Sequence, residues 1–175
     1  MPKKASVTGR AKKSIVTVDI DMTVADHRKR LMRACHGGML DRQVLFSPDL
    51  IMSDKVIAHA PAALRAIRKK HSIVFLSSRT KSATSVTEQW LKKNKLMTHG
   101  DRLIVVGSEV EKLKHFRRLL PRLYAVIDDF KFDFQSGKPR VSARVLPHLL
   151  KLDVFVIIFE NNWRNIVKTY FSESA

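Results

Sequence analysis

The stretch IVTVDIDMTVAD, Ile15 to Asp26, decides the fold, because a β-branched apolar run breaks off into two acidic residues one position apart. SIVTV, from Ser14 to Val18, reads as a strand. Residues two apart on extended backbone point to the same side, so Asp19 and Asp21 are predicted to project together while Ile20 faces the other way. A turn that caps a following helix needs only one acid. Two carboxylates and Thr23 at a strand end point instead to a chemical site, since ligands of open α/β sheets bind beyond the carboxyl ends of the strands.

Working outward, strands and helices alternate. DHRKRLMRAC makes a short helix that the paired glycines of HGGML end, and Leu40 to Ala60 reads as irregular, with turn signals at SPD and SD. PAALRAIRKK is an amphipathic helix with Pro61 in its first turn and Ala63, Leu64 and Ile67 on its apolar face. SIVFL is the second strand, SATSVTEQWLKKN a helix and RLIVV the third strand. EVEKLKHFRRLL is a helix with Leu113, Phe116 and Leu120 at core spacing, and LYAVI is the fourth strand. A short helix near Ala143, a fifth strand VFVIIF and a helix from about Trp163 complete the pattern. Strands this apolar, alternating with helices, imply a Rossmann-like α/β fold: a parallel sheet of about five strands with helices on both faces. Met1 to Lys13 reads as a basic, flexible leader, and residues 14–175 as one domain.

Composition narrows the setting. At 175 residues and 45% apolar content, one real core is affordable and two are not. The longest apolar run, Val154 to Phe159, falls far short of the ~20 residues that cross a bilayer, and the N-terminus has no apolar signal region. A soluble protein with no membrane partner is expected. The lone Cys35 excludes an internal disulfide and offers neither a zinc site nor a redox pair, which fits the cytoplasm or another reducing intracellular compartment. Thirty-three Lys and Arg against 16 Asp and Glu leave a net charge of +17, more than solubility requires. Polyanionic partners fit this charge, but the basic clusters are scattered and no motif for reading RNA or DNA is present.

Three further strand ends carry polar groups. AVIDDF places Asp128 and Asp129 after the fourth strand, VFLSSRT places Ser77 and Ser78 after the second, and VEKLKH offers Lys112 and Lys114 near a helix start. Four carboxylates at one sheet edge repel one another unless a cation sits among them, and hard oxygen ligands suit Mg²⁺.

DIDMT, FLSSR, EKLK and VIDD, in that order, resemble the motifs of the haloacid dehalogenase (HAD) superfamily of phosphohydrolases. VDIDMTVADHRKRL, VFLSSRT and YAVIDDF are similar to the phosphatase domain of polynucleotide kinase-phosphatases. The resemblance spans Ile15 to Phe130. It implies a Mg²⁺-dependent phosphomonoesterase in which Asp19 is the nucleophile that forms an aspartyl-phosphate. Asp21 would be the general acid and then the general base. Ser77 would hold the phosphoryl group, with Thr23, Ser78 and Arg79 beside it. Lys112 would neutralise developing charge, with Lys114 as its rival for that role. Asp19, the carbonyl of Asp21, and Asp128 would hold Mg²⁺, with Asp129 supporting or ligating.

The sequence departs from that pattern in places. Met22 stands where glycine is commonest, Phe130 replaces a common arginine, and Val24 to Ala60 is too short for a large cap. An open site with a small helical flap is therefore expected, and open sites admit large substrates. KFDFQSGKPR reads as a strand hairpin or surface loop, and Trp163 as a core anchor. The substrates implied are nucleotide or nucleic-acid terminal phosphates. A small-metabolite phosphatase or a non-catalytic nucleic-acid or ribonucleoprotein binder of the same fold are the alternatives.

Overall fold

The computed structural model describes residues 13–37, 39–130 and 144–172, and the backbone of 132–133 and 138–139. Five strands form the central sheet: β1 (Ile15–Val18), β2 (Ser72–Ser77), β3 (Arg102–Val105), β4 (Leu123–Asp128) and β5 (Phe155–Ile158). Their order is β5-β4-β1-β2-β3, and every pairing is parallel. This is the α/β architecture that the apolar strands predict.

Alternation along the strands divides the core in two. Val16, Val18, Ile73, Phe75, Ala125 and Ile127 face one side, while Ile15, Val74, Leu76 and Val126 face the other. The first face is covered by α4 (Ala60–Arg68), α5 (Thr84–Lys93) and α8 (Trp163–Ile166), and the second by α6 (Glu109–Leu119) and α7 (Leu146–Leu149). On α4, Ala60, Ala63, Leu64 and Ile67 are buried, as helical spacing predicts. Trp163 is a core anchor, its ring tilted against Phe159 with centroids 5.1 Å apart, its indole N–H donating to the Thr23 carbonyl at 2.9 Å. β1 and β4 lie centrally, so the residues that leave their carboxyl ends are buried together. That placement makes the site.

The structure corrects several boundaries. Lys13 belongs to the folded domain: its ammonium donates to the carbonyls of Arg68 at 2.9 Å and Lys69 at 3.2 Å. Residues 1–12 of the expected leader lie outside the described residues. The segment read as irregular holds α2 (Arg42–Leu45), α3 (Pro48–Met52) and the strand Lys55–Val56, which pairs antiparallel with Ala25–Asp26. SPD starts α3, with Pro48 in its first turn, where a missing N–H costs nothing. With α1 (Arg28–Ala34) these pieces make the small flap. α1 ends one residue early, and Cys35–His36 pairs back on Met39–Leu40 around Gly37, whose φ of 56° suits glycine. The helix expected near Ala143 is α7, and Ala143 itself lies outside the described residues. Within KFDFQSGKPR, Phe132–Asp133 pairs antiparallel with Lys138–Pro139, the hairpin alternative of the two.

Candidate active site

The ladder of β1 runs one step past the strand, Asp19 N–H donating to the Ile127 carbonyl at 2.9 Å. The chain then winds around Ile20, whose carbonyl accepts from Val24 at 2.9 Å and Ala25 at 2.8 Å. Met22, inside this turn, has φ 58°, a left-handed conformation that disfavours side chains and explains why glycine suits the position. Extended geometry thus ends at Val18, and the two acids do not project as one pair. Both still line a single cavity of 20 Å³, with Ser78, Glu109, Lys112, Asp128, Asp129 and Phe130.

Asp19 lies in an acidic cluster. Its carboxylate and those of Asp128 and Asp129 are buried and can each place an oxygen within 4.8 Å of the others. Lys112 Nζ donates to Asp19 Oδ1 at 2.6 Å and to Asp128 Oδ2 at 2.8 Å. Asp128 Oδ1 accepts from the Phe130 N–H at 3.0 Å, which fixes that carboxyl group. Burial, with Asp128, Asp129 and Asp21 nearby, drives the Asp19 carboxyl well above its ordinary value despite Lys112. Burial disfavours the Lys112 ammonium, but Asp128 and Asp19 outweigh it and hold the group charged. α6 delivers this lysine on its inward face beside Phe116, from an N-terminus that Ser108 caps by accepting from Glu111 N–H. Lys114 is exposed, so Lys112 is the lysine of the cleft.

Asp21 takes part in a different cluster. Arg79 grips it bidentately, Nε donating to Oδ2 at 2.9 Å and Nη2 to Oδ1 at 2.7 Å, and Arg30 donates to the same Oδ1. Both guanidiniums also meet Asp54: Arg30 Nε lies 3.2 Å from each of its carboxylate oxygens, and Arg79 Nη2 lies 3.4 Å from Oδ2. Arg30 donates further to the Leu45 carbonyl at 2.9 Å and Arg79 to Thr87 Oγ1 at 3.1 Å, so neither side chain is free. Burial alone would raise the Asp21 carboxyl, yet Arg79 and Arg30 hold it well below the usual carboxylate range.

These placements revise several expected roles. Arg79 is fully buried against Asp21, not turned to a substrate. Thr23 is fully buried, lines neither the cleft nor a cavity beside it, and its hydroxyl finds no hydrogen-bond partner among the described residues. Ser77 Oγ is buried and accepts the Arg79 N–H at 3.3 Å, whereas Ser78 lines the cavity. The Asp21 side chain is committed to arginine, leaving Asp19, Asp128 and Asp129 as the carboxylates placed for a cation. Arg30 and Asp54 were not singled out by the sequence. A signal for Arg30 existed: it shares the buried face of α1 with Ala34, one turn on.

No protein-family model matches the sequence, and no curated protein sequence matches it significantly. Solved structures do match in fold. A haloacid dehalogenase-like hydrolase from Streptococcus pneumoniae superposes with a TM-score of 0.57 at 11% identity, over 91% of this chain and 99% of that one. A haloacid dehalogenase-like family hydrolase from Xanthomonas campestris gives 0.52 at 13% identity, over 86% of this chain and 84% of that one. A HAD family hydrolase from Deinococcus radiodurans, whose structure has phosphate and sodium bound, gives 0.51 at 12% identity, over 94% and 99%. The fold of this chain is therefore HAD-like. No helix among the described residues is long and apolar enough to cross a membrane.

Proposed function

We propose that the chain is a Mg²⁺-dependent phosphomonoesterase acting on nucleotide or nucleic-acid terminal phosphates. One observation carries the reading: three buried carboxylates face a single lysine at the carboxyl ends of β1 and β4. Three carboxylates that can place oxygens within 4.8 Å of one another make a donor set of hard oxygens that suits Mg²⁺, and the 20 Å³ cavity has room for one ion. Asp19, Asp128 and Asp129, with the Asp21 carbonyl, would hold it. Bound there, Mg²⁺ would offset the charge that phosphate and carboxylates bring together. The Deinococcus radiodurans neighbour, with its phosphate, agrees with the reading.

The reaction uses Asp19 as nucleophile. Its Oδ attacks phosphorus, the new O–P bond forms as the ester P–O bond breaks, and the leaving oxygen takes a proton. Water then attacks the aspartyl-phosphate at phosphorus, loses a proton, and frees inorganic phosphate and Asp19. Lys112, already on Asp19 Oδ1, neutralises the charge that develops there, and Ser78 faces the phosphoryl group. Asp21 handles the protons. In the free chain its arginines keep it ionised, and the negative charge of an arriving phosphate is what raises its affinity for a proton.

A non-catalytic binder of nucleic acid or ribonucleoprotein is favoured by the same lysine. Lys112 already bridges Asp19 and Asp128, a contact that holds the cleft without turnover. A panel of phosphomonoesters, assayed with Mg²⁺ and with excess chelator, separates the readings. Phosphate release that needs Mg²⁺ and falls on the order of 10³-fold or more in Asp19→Asn is the expected result. Undiminished release in chelator removes the metal role, release from small metabolites alone removes the nucleic-acid substrates, and no release from any ester selects the binder.

A further inference from the structure

At Asp129 the cleft opens into a groove of 490 Å³, within the size range of small-molecule sites. Met22, Val56, Ile57 and Phe159 give it an apolar wall, and the acidic Asp129 and Glu160 line it too. The groove passes over the short ladder of Ala25–Asp26 and Lys55–Val56 and shares Asp26, Arg28 and Lys55 with a second hollow of 250 Å³, which adds Lys29. The far end is basic. Arg28 is neutralised by Asp26, with contacts of 2.8 and 2.6 Å, and Asp54 at the hollow is committed to Arg30 and Arg79. Lys29 and Lys55 are exposed, with no ion pair to either among the described residues.

Backbone strain marks the same path. Of five non-glycine residues with left-handed φ among the described residues, Met22 at 58° and Asn161 at 59° line the groove, and Phe130 at 51° lines the cleft. Such conformations persist where surrounding structure enforces them, and they concentrate at ligand sites.

We infer that the groove receives the alcohol portion of the phosphate ester, and that the hollow holds a second anionic group of the same molecule between Lys29 and Lys55. The inference rests on the cleft being the phosphoryl site. A phosphoryl group attacked by Asp19 sends its leaving oxygen out in line, away from the nucleophile, and among the described residues the groove meets the cleft at Asp129. A channel with an apolar wall, ending in two ammonium groups with no ion pair among the described residues, suits a nucleoside followed by a second phosphate. That phosphate is either the monoester of a nucleoside bisphosphate or the next phosphodiester of a polynucleotide.

Affinities settle the matter, measured by titration calorimetry on the full chain carrying Asp19→Asn in Mg²⁺. A nucleoside monophosphate, the nucleoside 3′,5′-bisphosphate and a terminally phosphorylated dinucleotide are the probes. One or both of the doubly anionic probes should bind roughly fivefold to tenfold more tightly than the monophosphate, the scale of two partly exposed ion pairs. Adding Lys29→Ala and Lys55→Ala should bring that ratio close to one. A gain for the bisphosphate alone identifies a monoester as the second anion, and a gain for the dinucleotide alone identifies a phosphodiester. Equal affinities for all three probes, no binding of any, or a ratio unmoved by the lysine changes overturns the inference. Turnover by the unmodified chain is scored separately: the affinity ratio without turnover of any probe keeps the two-anion site and overturns the phosphatase reading.

Discussion

Asp19 and Asp21 stand two positions apart, yet their carboxylates belong to two different buried clusters. Around Asp19, the carboxylates of Asp128 and Asp129 gather within 4.8 Å, and the Lys112 ammonium bridges Asp19 and Asp128. Around Asp21, two carboxylates meet two guanidiniums, with Asp54 as the second acid. Burying charge is tolerated when it is paired and hydrogen-bonded, so the balanced cluster is held in place by its own ion pairs. It ties the flap residues Arg30 and Asp54 to the end of β2. The other cluster gathers three carboxylates within 4.8 Å of one another, a set of hard oxygens of the kind a divalent cation takes. A residue type at a strand end thus says less about function than the sum of charges that packing gathers around it.

The largest expected effect breaks the balanced cluster. Arg79→Leu leaves Asp21 without its bidentate partner in a buried setting and should cost about 3–5 kcal/mol of stability, measured by urea unfolding. Mg²⁺ should not restore it, because the missing charge is not at the acidic cluster. Lys112→Leu is the counterpart: it removes the positive charge between Asp19 and Asp128, a charge that Mg²⁺ can replace, so its loss should shrink as Mg²⁺ is added. If Mg²⁺ rescues both variants equally, the two clusters are one electrostatic unit and the distinction fails.

Next in size is a pH effect at the edge of the balanced cluster. Burial lowers the His27 imidazole to about 4 and raises the Asp54 carboxyl to about 6. Between pH 6.5 and 4 the unfolded chain protonates His27 and the folded chain does not, so this group makes stability fall as pH falls. Asp54 acts the other way: the folded chain takes its proton below pH 6 and the unfolded chain only near 3.8, so stability rises as pH falls through 6. Each contributes at most about 3 kcal/mol, and the two nearly cancel. Relative to the unaltered chain, His27→Gln should therefore gain stability from pH 6.5 down to 4, and Asp54→Asn should lose it from pH 6 down to 4. Parallel unfolding curves for all three proteins across that range would remove both shifts.

Metal linkage sharpens the comparison from the other side. Mg²⁺ at about 100 times its Kd should stabilise the fold by about 2.7 kcal/mol, read as a rise in Tm. Asp128→Asn should push the midpoint of that rise to higher Mg²⁺, whereas Asp54→Asn should leave it in place. An unmoved midpoint in Asp128→Asn would transfer the ligand role to Asp129.

Strand ends explain what the sequence makes legible. β1, β2 and β4 announce themselves as apolar runs, and a parallel sheet brings their carboxyl ends together whatever the loops do, so Asp19, Ser78, Asp128 and Asp129 are readable from the order of residues alone. Partners contributed by the flap are not. Asp54 follows a serine in what reads as a solvated turn, whereas the fold carries that turn inward, with the Trp90 indole donating to its carbonyl at 3.1 Å and Arg30 and Arg79 meeting its carboxylate. Arg30 lies in a basic cluster that looks like surface charge. Ser77 and Thr23 lie off the cavity for different reasons: Ser77, still within β2, is buried and accepts the Arg79 N–H, while past Val18 the chain is a tight turn, so alternation no longer places Thr23.

The smallest effect concerns the two lysines that the sequence leaves as rivals. Lys112 and Lys114 are two apart on α6, about 200° around a helix, so one faces the sheet and the other faces water. Lys112 is 3% exposed and touches two carboxylates. Lys114→Ala removes a solvated charge and exchanges one good helix former for another, so stability should change by no more than about 0.5 kcal/mol. Phosphate release and the Mg²⁺ midpoint should both stay within error of the unaltered chain. Lys112→Ala should change both. A Lys114→Ala variant that loses turnover while keeping its Tm would show that α6 shifts in the working protein, and the lysine assignment would then pass from Lys112 to Lys114.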